Sequence, residues 1–191
     1  MSVLIKKITT RWSESGIIEK ADEDIYEYGL DLLIYTILNI AVILVSAIVI
    51  GKLMDSLALL AIILPLQSFG GGYHAKTHLR CFLIMYIGWW AVILILPLIT
   101  LTFSVITSCA AVLVIFNLAP VPHENVGMSV QQRKKMRLLS RLTITICALS
   151  SVLFTLCISE RVGIAMSMGL GVVSLSMLIA CGKNIYKRKQ I

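Results

Sequence analysis

Five long stretches of this chain carry no charged side chain: residues 32–51, 56–73, 82–122, 142–159 and 162–182. An α-helix needs about 20 largely apolar residues to cross the hydrocarbon core of a bilayer. The third stretch is about twice that length, with polar residues Thr100, Thr102 and Ser104 near its middle. It reads as two spans joined by a tight turn, which makes six spans in all. The second is the weakest, because its dense apolar part, 57–69, is short and contains Pro65. A soluble chain is ruled out by supply: 58% of the 191 residues are hydrophobic and only 14% charged. That leaves too few polar side chains to cover a water-facing surface.

Charge placement tests the count independently. With six spans and the N-terminus inside, the inner segments hold Lys6, Lys7, Arg11 and Lys20, then Lys76 and Arg80. They also hold Arg133, Lys134, Lys135, Arg137 and Arg141, and finally Lys183, Lys187, Arg188 and Lys189. Only Lys52 and Arg161 fall outside, so the basic residues divide fifteen against two. Positive residues concentrate on the cytoplasmic side of membrane proteins. Five spans, without the second, would place a large basic cluster outside. The net charge of +7 follows from the same bias, and no basic–aromatic interleaving points to nucleic acid. The expectation is an all-α, multi-pass protein of the cell membrane with both termini in the cytoplasm.

No repeat or linker divides the chain, so one domain is expected over 1–191: an amphipathic segment at 1–31, a six-helix bundle at 32–182 and a basic tail at 183–191. In the first part, Ile18, Ala21, Ile25, Tyr28 and Leu32 recur at helical spacing, with Glu19, Asp22, Glu23, Asp24 and Glu27 mostly on other faces. Such a segment lies on the inner membrane surface or packs under the bundle, or is simply solvated. Lys6, Lys7 and Arg11 precede no compact apolar stretch with a small-residue cleavage site, so no cleavable signal is expected. In the last span, Gly163, Ala165, Ser167, Gly169 and Gly171 suggest a small-residue packing face. The longest extramembrane segment, 119–141, opens on a Pro-rich turn and ends in a basic helix start.

Chemistry concentrates in residues 67–81, Gln-Ser-Phe-Gly-Gly-Gly-Tyr-His-Ala-Lys-Thr-His-Leu-Arg-Cys, at the inner end between two spans. Two of the three histidines and one of the five cysteines are here. Cys109, Cys147, Cys157 and Cys181 lie within apolar spans, where cysteine acts as a small hydrophobe. Cys81 has Lys76, His78 and Arg80 nearby, and positive neighbours favour the nucleophilic thiolate. Cysteine with a histidine base is the minimal pair for acyl transfer. On a continuous helix His74 would lie about 10 Å from Cys81 along the axis, whereas His78 would touch it. Either His78 is the base, or the chain folds back at Gly70, Gly71 and Gly72 so that His74 reaches. Those glycines could also offer N–H groups to an oxyanion, or form a plain turn. A rival use of His74, His78 and Cys81 is as three metal ligands on one helical face, although the HExxH pattern of zinc peptidases is absent.

The Gly-Gly-Tyr-His-Ala-Lys-Thr stretch, with Cys81 seven residues after His74, resembles the accessory gene regulator B (AgrB) family. The turn at Ala119 and Pro120 followed by Asn125, and six spans after a short amphipathic N-terminus, are similar to that family too. The resemblance covers nearly the whole chain. It implies a membrane-embedded cysteine endopeptidase that cleaves an AgrD-like precursor peptide and closes the released part into a thiolactone or lactone for quorum sensing. It assigns the nucleophile to Cys81 and the base to His74, and it gives His78 no catalytic counterpart. Members often carry an arginine shortly before the glycines, where this chain has Leu66, Gln67 and Ser68. No cofactor is expected. The expected partners are the precursor peptide and the lipid bilayer, with a homodimer left open. The acidic tail typical of such precursors would be drawn to Arg133–Arg141 and to Lys187–Lys189, although topology alone also explains those charges. The alternatives are a small transporter or exporter, which no ionisable residue deep in a span supports, and the metal-binding protein above.

Overall fold

The computed structural model describes residues 2–73, 75, 77–121 and 130–188, with the side chains of 2, 3, 78, 130 and 184–188 left out. The described residues are 88% helical, with no strand among them. Among the described residues seven α-helices follow one another: α1 (Ser2–Glu14), α2 (Glu23–Val49), α3 (Leu53–Gly70), α4 (His78–Ile95), α5 (Leu101–Leu118), α6 (Val130–Cys157) and α7 (Glu160–Arg188). All but α1 are long and apolar enough to cross a membrane. Leu33, Ile37, Val45, Ile106, Leu149 and Leu156 lie exposed along them. Water would not tolerate such continuous apolar faces, but lipid does. This is the six-span, all-α architecture of a multi-pass membrane protein.

Helix α7 is the central element and packs against α3, α5 and α6. It runs parallel to α3. Near the start of the pair Arg161 meets Asp55, further on Gly169 packs on Ile62 and Leu59, and at the end Met177 reaches Gly70. The expected small-residue face is in fact distributed around the helix. Gly163 admits Thr155 of α6, Gly169 admits α3, and Gly171 admits Thr107 of α5. A central helix needs close approach on several sides, so its small residues do not form one stripe.

The N-terminal expectation requires correction. Residues 18–32 are not one helix. α1 ends at Glu14, Gly16 takes φ +71°, a short 3-10 turn covers Lys20–Asp22, and α2 begins at Glu23. Ile18 is buried while Ile25 and Tyr28 are exposed, so they share no face. α1 instead docks on α2 through buried Ile5 and Thr9, and the Thr10 hydroxyl donates to the Glu23 carboxylate. Helices also outrun their uncharged cores: α2 starts before residue 32, and α6 before residue 142. Between α4 and α5 the chain turns through Leu96–Leu98, and Thr100 caps α5 by accepting from the Phe103 N–H. Thr102 and Ser104 belong to α5 itself.

Asp55 is the only buried acidic residue among those described. It sits in the first turn of α3, at the same end of the bundle as Lys52, and accepts from Nε and Nη2 of Arg161. Its position at a helix end, already paired, marks a clamp between α3 and α7 rather than a route through the bundle.

Candidate active site

The opposite end of α3 is held from three sides. The Ser140 hydroxyl of α6 bonds the Phe69 carbonyl at 2.7 Å, and the Val121 N–H, just beyond α5, donates to the Gly70 carbonyl at 2.9 Å. Past the helix, the Tyr73 N–H donates to the Ser176 hydroxyl of α7 at 2.9 Å. The first two bonds satisfy carbonyls that the end of α3 leaves without a partner, and the third gives the loop N–H of Tyr73 an acceptor. The glycines make these approaches sterically feasible. A Cβ on Gly71 would stand 2.5 Å from the Val121 carbonyl oxygen, and one on Gly72 would stand 2.9 Å from Ser176 Oγ. Gly71 also adopts φ +73° and ψ −165°, a conformation essentially restricted to glycine. Its N–H donates to the Gln67 carbonyl at 3.1 Å. The glycine run is therefore a pinned junction.

Helix α4 begins at His78 after an extended Thr77, whose hydroxyl accepts from the Arg80 N–H. The Cys81 N–H bonds the Thr77 carbonyl at 3.1 Å, which places Cys81 in the first helical turn. Tyr73, Ala75 and Thr77 are not helical. The continuous helix considered for residues 74–81 is thus excluded, while His78 and Cys81 do share the start of α4. His74, Lys76, Asn125 and Lys189 lie outside the described residues, as do the side chains of His78, Lys187 and Arg188.

Cys81 and Tyr73 both line a cavity of about 200 Å³ bounded by α2, α3, α4 and α7. Its polar lining lies at one end: Gln67 in the last turn of α3, Tyr73 in the loop, Cys81 at the start of α4 and Ser176 of α7. The rest of the wall is apolar, running down α4 through Ile84, Gly88 and Val92. The half-buried thiol therefore lines a mostly apolar cleft, part of whose wall, Ile84, Leu175 and Ile179, is exposed on the bundle surface. The other cysteines lie within helices, with Cys109 and Cys157 exposed on the bundle surface and Cys147 buried.

Positive charge surrounds this end. Lys183 Nζ lies 4.9 Å from the centroid of the Tyr73 ring, and Arg141 sits 4.4 Å from that of Phe116. Arg80, Arg133, Lys134, Lys135 and Arg137 are exposed. The basic segment before residue 141 is largely the opening of α6 rather than a loop. Among the described residues no three His, Cys, Asp or Glu side chains gather as metal ligands would; the proposed trio of His74, His78 and Cys81 extends beyond them.

The family model for accessory gene regulator B, AgrB, matches residues 5–180. The chain belongs to the AgrB family. That membership gives it a part in processing quorum-sensing precursor peptides, in a membrane setting. No curated protein and no solved structure matches the chain significantly. Sequence reasoning missed Ser176, Ser140 and Val121, which hold the AgrB junction in place. The available signal was serine inside otherwise apolar helices, a common choice for hydrogen bonds between membrane helices.

Proposed function

We propose that this AgrB protein is a cysteine endopeptidase with Cys81 as nucleophile and His74 as general base. The observation that carries the reading is the cavity shared by Cys81 and Tyr73, the neighbour of His74. Because Tyr73 is fixed to α7 and Cys81 to the start of α4, the intervening loop is anchored at both ends of the reacting group. Gly70, Gly71 and Gly72 act as positioning residues through their close contacts.

In the proposed reaction the Cys81 thiol gives its proton to His74, and the sulfur adds to the scissile carbonyl of the precursor. The C–N bond breaks, and His74 returns the proton to the departing amine of the C-terminal fragment. The N-terminal part stays on Cys81 as a thioester. A Cys or Ser side chain within it then loses its proton to His74 and attacks the thioester carbonyl. The Cys81 sulfur leaves and is reprotonated, and the ring closes. A thioester retains enough reactivity for this second transfer, and the bundle limits the competing water. Lys76, His78 and Arg80 tune the field at the sulfur. The site lies on the cytoplasmic side, with both termini there, in keeping with the positive-inside pattern. One domain carries the whole activity.

The test is cleavage of a precursor peptide by the purified protein in lipid. Cys81→Ala abolishes it, whereas Cys109→Ala, Cys147→Ala, Cys157→Ala and Cys181→Ala retain it. Normal cleavage by an inserted Cys81→Ala protein would refute the reading.

A further inference from the structure

The cavity continues well past the reacting sulfur. From Cys81 to Val92 it follows α4 for eleven residues, about 16 Å along the axis. Polar groups line only the Cys81 end, and Ile63, Ile84, Gly88 and Val172 form apolar wall beyond it. An apolar cavity of roughly 150 Å³ accepts benzene, so about 200 Å³ holds one large apolar side chain. We infer that this cavity is the specificity pocket for a leucine- or phenylalanine-sized side chain on the substrate residue whose carbonyl Cys81 attacks. The inference rests on the peptidase reading above.

The cavity begins at Cys81, so on the peptidase reading its occupant is the peptide acylated there. That peptide presents its amide groups to Gln67, Tyr73 and Ser176 and its side chain to the apolar wall. Chemistry selects the residue. The acyl half of the substrate must stay in place after the leaving fragment departs, and a buried side chain next to the thioester holds it and displaces water. Gly88 sits seven residues after Cys81, on the same helical face, and a Cβ there meets no atom within 4 Å. A larger residue at 88 therefore fills the cavity without displacing a packed neighbour, and replacing a mid-helix glycine favours the helix.

The experiment compares kcat/KM for precursor peptides carrying Leu, Phe or Ala at the acyl residue, with the full-length protein in vesicles of fixed lipid composition. The native protein prefers Leu or Phe over Ala by about 10- to 100-fold. Gly88→Leu lowers that preference at least about tenfold, and Gly88→Ala falls between. Ile84→Ala shifts preference toward the larger side chain. A uniform loss on all peptides, or an unchanged order of preference, overturns the inference and leaves Cys81 as the nucleophile. So does a rate that follows lipid chain length instead of the peptide residue, which would make the cavity a lipid site. If no peptide forms a thioester on the native protein, the peptidase reading itself fails.

Discussion

The backbone N–H of Tyr73 donates to the side-chain hydroxyl of Ser176, 103 positions away in sequence, at 2.9 Å. This bond fixes the loop against the central helix immediately before His74. Ser176→Ala removes the acceptor without adding bulk, and an intramolecular hydrogen bond contributes about 0.5–1.5 kcal/mol. We expect cleavage to fall about tenfold with little change in thermal stability. Gly71→Ala is expected to be far worse, because its φ of +73° and the nearby Val121 carbonyl both oppose a side chain. Parallel measurement of peptide cleavage and thermal unfolding in detergent checks both.

The clamp at the other end behaves differently. Asp55 is buried, with a side-chain exposure of 7%, but Arg161 is 53% exposed. Removing Arg161 leaves a carboxylate without its partner. Water reaching the exposed side softens the 3–5 kcal/mol loss typical of fully buried pairs to about 1–3 kcal/mol. Arg161→Ala should therefore unfold at lower temperature, and Asp55→Asn in the same chain should recover part of the loss. Strictly additive effects in that double-mutant cycle would show that the pair is not coupled.

Some of this architecture could be read before any coordinates, and some could not. The spans were legible because charge exclusion from lipid is severe. The second span, α3, has the lowest mean hydropathy of the six, 1.6, yet 44% of its window is buried. It is more buried than any other span but α7, so it accommodates Asp55, Ser56 and Gln67. The N-terminal region was misread because helical periodicity at 18–32 says nothing about the break between α1 and α2. At the site, Cys81 stood out by its neighbours, whereas Ser176 and Val121 act on the loop from across the bundle. Sequence spacing carries no record of such contacts.

Orientation has its own test. From the fifteen-to-two division of basic residues we expect the loop before α4 to lie inside the cell. In a variant retaining Cys81 as its only cysteine, a membrane-impermeant thiol reagent should react only after the membrane is opened. Labelling of intact cells would reverse the topology.

The two histidines should separate kinetically. Residues 73, 75 and 77 are not helical, so linear helix spacing does not keep His74 from Cys81. A general base typically contributes about 10²–10⁴-fold. His74→Ala is expected to lose about that much in single-turnover cleavage across about pH 6–9, a range that includes the ordinary histidine pKa of about 6.5, and His78→Ala distinctly less. An inactive His78→Ala beside a nearly normal His74→Ala would reassign the base.

The central claim is the covalent bond between Cys81 and the peptide. Acid-quenching a single turnover of precursor on the native protein and measuring the intact mass observes that bond directly. The account predicts an adduct equal to the N-terminal part of the precursor in acyl form, released by hydroxylamine and absent from Cys81→Ala. A released C-terminal fragment with no adduct at any time point, or an adduct that persists in Cys81→Ala, would contradict it.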